Sequence, residues 1–100
     1  MSGNKLTELP AEISDLRELR WLSVSNNQLV GLPTSIQRLT KLKGLYLIGN
    51  KLTELPAEIS DLRELRQLSV SHNPLTVDAI RRALKLRKKG VLVDLSLIHI

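Results

Sequence analysis

Two histidines, ten carboxylates and a scatter of serines and glycines are the groups in this 100-residue chain that could do chemistry, and their spacing assembles none of it. His72 and His99 stand apart, and neither falls in the H-E-x-x-H arrangement that holds zinc beside a general base. Cysteine is absent, which removes disulfide frameworks, thiolate zinc sites, iron–sulfur clusters and thiol nucleophiles together. Ser23, Ser25, Ser69 and Ser71 have no base beside them in sequence, and Gly31, Gly44 and Gly49 do not form a phosphate-cradling loop. The carboxylates come mixed with cations: Asp15, Arg17, Glu18 and Arg20 return as Asp61, Arg63, Glu64 and Arg66, a pattern that suits a solvated surface with weak ion pairs. We therefore expect no enzyme, no catalytic residue, no metal and no cofactor.

Basic charge is the next source of function. The chain has 15 Lys+Arg against 10 Asp+Glu, a net charge of +5. Residues 1–77 hold nine basic and eight acidic residues, whereas residues 78–100 hold six and two, so the excess is local. It sits in the segment 79–89, where Arg81, Arg82, Lys85, Lys88 and Lys89 share one face at helical spacing. Such a face could bind phosphate, nucleic acid or an anionic lipid surface. No aromatic interleaves these cations and no nucleic-acid motif surrounds them, so the outer face of a capping helix is the better account. No apolar run approaches the ~20 residues of a membrane span, and the first ten residues lack the basic and apolar segments of a secretory leader. A cytoplasmic protein with no membrane partner is expected, with anion or nucleic-acid binding by the 79–89 helix as an alternative to protein binding.

The elements that carry these residues follow from a repeat. Leu6, Leu29, Leu52 and Leu75 are spaced by 23, and so are Pro10, Pro33 and Pro56, Ile13, Ile36 and Ile59, and Asn4, Asn27, Asn50 and Asn73. The units are 6–28, 29–51 and 52–74, followed by a divergent 75–100, all within one domain over 1–100. Leu22 and Val24, Leu45 and Leu47, and Leu68 and Val70 alternate as a short strand with one buried face does. Ahead of them, Ile13, Leu16 and Leu19 recur every third residue, as 3₁₀ or irregular helical turns would place them. A lone unit cannot bury enough apolar surface to offset its own ordering, so neighbouring units must cover each other's leucines and pair each other's strands.

The pattern LxxLPxxIxxLxxLxxLxLxxN resembles the leucine-rich repeat family in its 23-residue intracellular form, without a gap over 4–74 and loosely beyond. The resemblance implies an α/β solenoid with a short parallel sheet on the concave face and 3₁₀, helical or extended segments on the convex side. It implies non-enzymatic binding of a protein or peptide through that sheet. Asn27, Asn50 and Asn73 are assigned to structure, since a buried amide at a strand end can satisfy the backbone of adjoining units.

The two ends are expected to differ. Residues 3–20 recur letter for letter as 49–66, and the copy runs to 74 with only Trp21/Gln67, Asn26/His72 and Gln28/Pro74 changed. Such an unblurred duplication reads as an engineered, idealised or truncated array, or as recent duplication within a larger natural one. The three residues before Asn4 are too few to cover the first unit's leucines. At the other end Thr76 or Asp78 can cap a helix over 79–89 that Gly90 ends, with Ala79, Ile80, Ala83, Leu84 and Leu86 inward. Val91 and Val93 fall 23 residues after Leu68 and Val70 and continue the buried face, while Leu92, Ile98 and Ile100 fall on the solvent side. Exposed apolar residues at Leu6, Leu92, Leu97, Ile98 and Ile100 point to a homo-oligomer joined through the solenoid ends, unless the last residues fold back over the final repeat.

The remaining surface is the concave sheet, with strands expected near 21–25, 44–48, 67–71 and 90–95. Adding 23 stacks Trp21, Gly44, Gln67 and Gly90 in one column, Ser23, Tyr46, Ser69 and Leu92 in a second, and Ser25, Ile48, Ser71 and Asp94 in a third. The chain has 22 leucines and only two aromatics, and both aromatics fall here, outside the core. Tryptophan and tyrosine are the side chains most enriched at interface hot spots. The expected partner surface is Trp21, Ser23, Ser25, Tyr46, Ile48, Gln67, Ser69, Ser71 and His72, with Gly44 leaving the faces of Trp21 and Gln67 open. The competing reading is a minimal scaffold whose surface residues are unselected.

Overall fold

In the computed structural model, which describes residue 5, residues 7–9 and residues 11–95, the apolar residues three apart are also each other's hydrogen-bond partners. Ile36 N–H donates to the Pro33 carbonyl at 3.1 Å, Leu39 N–H to Ile36 at 3.1 Å and Leu42 N–H to Leu39 at 3.0 Å. Ile59, Leu62 and Leu65 repeat the series from Pro56. Side-chain period and hydrogen-bond period coincide, which is why this spacing folds as 3₁₀ turns, at Ala11–Asp15, Thr34–Arg38 and Ala57–Asp61. The apolar stripe is buried in the second and third units. In the first unit Leu16 is 53% exposed, against 0% and 5% for its counterparts Leu39 and Leu62. No preceding described unit covers it.

Four strands form one parallel sheet in chain order: β1 (Trp21–Ser23), β2 (Gly44–Tyr46), β3 (Gln67–Ser69) and β4 (Leu92–Asp94). Leu22, Leu45, Leu68 and Val93 pair across it and face the core. The strands are three residues long rather than the expected five, yet their ladder runs on. Val24 N–H donates to the Tyr46 carbonyl at 2.9 Å, and Asn26 N–H to Ile48 at 2.7 Å. Asn26, Gly49 and His72 then enter the left-handed region, with φ of 58°, 73° and 59°. That turn aims the following asparagine inward. Asn73, fully buried, donates to the Leu47, Val70 and Ser71 carbonyls and accepts from the Leu52 N–H.

Helix α1 (Val77–Lys88) replaces the 3₁₀ turn in the last unit. Thr76 caps it, accepting from the Ala79 N–H at 3.2 Å, and Gly90, with φ of 95°, ends it. Ala79, Ala83 and Leu86 are buried and Ile80 packs beside them, but Leu84, expected inward, is exposed. Its position lies a full 100° beyond Ala83, outside the buried arc.

The helix also shifts the register. Leu68 pairs with Val93, 25 residues on, where the repeat predicts 23. An α-helix rises about 1.5 Å per residue against about 2.0 Å for a 3₁₀ turn, so more residues are needed to span the convex side. The even shift keeps Val91 and Val93 buried, but it places Leu92 beside Gln67 and Asp94 beside Ser69. The molecule measures 34 × 32 × 17 Å, a thin stack whose core is one layer of leucines.

Candidate interaction surface

Parallel pairing sets Trp21 beside Gly44 and Tyr46 one step along the same strand. The Trp21 indole and the Tyr46 ring stack diagonally across β1 and β2, with centroids 6.4 Å apart and planes 17° from parallel. Gly44 makes this possible. A Cβ there would collide with the six-membered ring of Trp21 and sit 2.9 Å from the Tyr46 hydroxyl. Gly44 therefore does not leave an open face, as expected, but is roofed by the two rings and is buried. The Tyr46 hydroxyl donates to Gln67 Oε1 on β3, so one braced unit spans three strands. Its outer member, Trp21, stays 55% exposed.

Ser23 is exposed, Ser25, Ile48 and Ser69 are half-buried, and His72 is exposed in its left-handed turn. Ser71, expected among the contacts, is 3% exposed and offers a partner nothing. Leu92 is 69% exposed on the concave face, in the Trp21 column rather than the Tyr46 column. Beside it lies a concavity of about 570 Å³ lined by Tyr46, Gln67, Arg87, Leu92 and Asp94 among others. Leu6, Leu97, Ile98 and Ile100, expected at the solenoid ends, lie outside the described residues.

Sequence reasoning missed Arg87. Its Nη2 donates at 2.8 Å to the Val93 carbonyl, which points away from β3. The Val91 N–H on the same outer edge donates to Leu86 O at 3.2 Å. Two backbone groups of the edge strand are thus occupied from within the chain. Arg82, placed on the solvated face by its spacing, also turns inward and donates to the Leu55 carbonyl. Two of the helix's cations are therefore tied to backbone oxygens.

Among the described residues no three His, Cys, Asp or Glu side chains converge as metal ligands. Glu18 has its carboxyl held below the usual range, first by the hydrogen bond from Lys41 and then by the charges of Lys41 and Arg20. Both partners of this 2.7 Å pair are solvent-accessible on the outer surface.

The family model described as a leucine-rich repeat region matches residues 1–94. The chain belongs to the leucine-rich repeat family. Among solved structures, a leucine-rich repeat protein of Leptospira interrogans superposes with a TM-score of 0.86 at 45% identity, over 94% of this chain and 24% of that one. The chain thus spans about a quarter of that protein's length. No curated protein matches it. Among the described residues of this leucine-rich repeat chain, no helix is long and apolar enough to cross a membrane.

Proposed function

We propose that the chain is a non-enzymatic recognition module that binds a protein or peptide on its concave sheet. The observation that carries this reading is the Trp21–Tyr46 pair, stacked and braced by Gln67 yet outside the buried core. Rigid aromatics lose little entropy on binding and are the usual anchors of interfaces. Family membership supports the same reading, because solenoid curvature creates concave binding surfaces. Ser23, Ser25, Ile48, Gln67, Ser69 and His72 form the surround. Peptides selected against the wild-type chain from a displayed library test it. They should lose binding to Trp21→Ala and to Tyr46→Ala while keeping it for Leu84→Lys on α1. Ligands that bind all these variants equally would refute the reading.

The exposure of Leu16 favours a second reading, self-association through the first unit, because its equivalents in later units are covered. Sedimentation of a concentration series should show association that Leu16→Lys weakens. A single monomeric species at high micromolar concentration would end that reading. The basic face of α1 has no comparable support, and Arg82, one of its cations, is already engaged by the Leu55 carbonyl.

A further inference from the structure

We infer that the concave face takes an acidic, extended peptide segment, held by a row of cations at Arg20, Lys43 and Arg66 that runs along the strand entrances beside Trp21 and Tyr46. This rests on the concave-face reading above and adds the chemistry of the partner.

The row is built by the backbone. Gly44 N–H donates to the Arg20 carbonyl at 3.1 Å, Arg66 N–H to Lys43 at 2.8 Å and Gln67 N–H to Lys43 at 3.0 Å. The three residues therefore sit side by side at the entrances of neighbouring strands, at a pitch of about 4.8 Å. Arg20 and Arg66 are exposed and Lys43 is half-buried. Among the described residues none of the three forms an ion pair, the one pair within reach being Lys41 with Glu18. Like charges abreast on adjacent strands destabilise a sheet. Glu18, already bonded to Lys41, offsets part of the Arg20 charge, and Lys43 and Arg66 form no ion pair among the described residues, so the row can take counter-charge from outside the chain.

Comparison between units makes the row specific. Charge falls at positions 5, 8, 12, 15, 17, 18 and 20, and all seven charges recur 46 residues on. The positions 23 residues on diverge, with Gln28, Gly31, Ser35, Arg38, Thr40 and Lys41 neutralising or reversing six of them, and the charge is kept only at Lys43. Columns such as Asp15, Arg38 and Asp61, or Glu18, Lys41 and Glu64, alternate in sign along the stack. The column at 20, 43 and 66 alone repeats one sign through three units. In β4 the position after Arg66 is Val91, which is buried, but the Arg87 guanidinium continues the positive rim along the concavity. Asp94 is the one carboxylate lining that concavity.

Carboxylates of a peptide crossing the strands would meet the row, and an apolar side chain between them would meet Trp21, Tyr46 or the exposed Leu92. A nucleic acid fits less well, because the two rings stack on one another and Tyr46 is held by Gln67, leaving no pair of splayed platforms for successive bases.

The test follows Trp21, the single tryptophan, by fluorescence while the chain is titrated with the peptide EELEELEE, its counterpart QQLQQLQQ and an eight-nucleotide oligothymidylate. EELEELEE should bind with an affinity that falls as salt rises, and QQLQQLQQ roughly tenfold or more weakly. Lys43→Glu and Arg66→Glu should each weaken EELEELEE by roughly tenfold, while Lys51→Glu, an exposed cation off the row, should leave it unchanged. Lys43→Gln and Arg66→Gln serve if a reversal disturbs folding by circular dichroism. Equal binding of the two peptides, indifferent to Lys43, overturns the acidic-partner inference and leaves the concave-face reading standing. Absence of binding by either peptide overturns it too, and the library selection still judges the broader reading. Tighter binding of the oligonucleotide, or binding lost with Lys85→Glu and not with Lys43→Glu, overturns it in favour of a nucleic acid or of α1.

Discussion

The Asn50 side-chain amide crosses the boundary between units to the Val24 carbonyl, 3.1 Å away, while its oxygen accepts from the Leu29 N–H at 3.1 Å. The same amide holds its own strand's Leu47 carbonyl at 3.0 Å. All these groups are buried. Asn50→Ala would strand a donor and weaken the satisfaction of two acceptors without water to replace them, at a cost of about 3 kcal/mol. That is a large part of the stability of a small domain. Urea denaturation monitored by circular dichroism measures it, and a loss below about 1 kcal/mol would show that the asparagine ladder is not what joins the units.

Gly44 and Gly31 should respond oppositely to the same change. A methyl at Gly44 drives into Trp21 and Tyr46, whereas one at Gly31 meets nothing within 4 Å. We expect Gly44→Ala to destabilise by about 1–3 kcal/mol and to alter Trp21 emission as the stack opens. Gly31→Ala should be neutral or mildly stabilising. Thermal melts of the two variants decide, and equal effects would mean that the rings do not rest on Gly44.

Arg87 protects an edge. Its removal frees the Val93 carbonyl on the outer side of β4, next to the exposed Leu92. Arg87→Ala is expected to raise light scattering on concentration or mild heating, with Lys88→Ala as the charge-matched control. Identical scattering from the two variants would remove the protective role.

The Glu18–Lys41 pair gives a titration with a definite sign. The fold holds the Glu18 carboxyl below its ordinary value of 4.5, so whatever the pair contributes is present above that value and fades as pH falls through the lowered one. Lys41→Gln should move the Glu18 titration, read by carbon NMR of the carboxyl, back upward. Because both groups are exposed, the melting temperature near neutral pH should barely change. An unmoved titration would mean that the pair does not persist in solution.

Most of the architecture was legible because the 23-residue interval repeats in apolar and polar positions alike, which leaves strand order, buried face and the role of the asparagines little freedom. The same arithmetic failed where the local geometry changes. Counting 23 beyond Leu68 finds the correct face at Val93 by parity but assigns the wrong neighbours to Leu92 and Asp94, because α1 advances less per residue than the turns it replaces. Gly44 was misread because a column of Cα positions does not say which way a large neighbour leans. Ser71 and Leu84 were misplaced for the related reason that strand alternation and the helical wheel weaken at the ends of an element and the margins of a face. Arg87 carries no sequence signal at all. Only the path of the chain around Gly90 brings its guanidinium back to the Val93 carbonyl.

That guanidinium gives the stack a polarity. With two backbone groups of the β4 edge occupied from within the chain, that edge is the less available one among the described residues, and pairing of two copies through the sheet would use β1 of both. Contacts of that kind are two-fold and close after a single addition. Pairing through β1 would give a closed pair rather than a fibre, and Arg87 is one of the groups that disfavour continuation through β4.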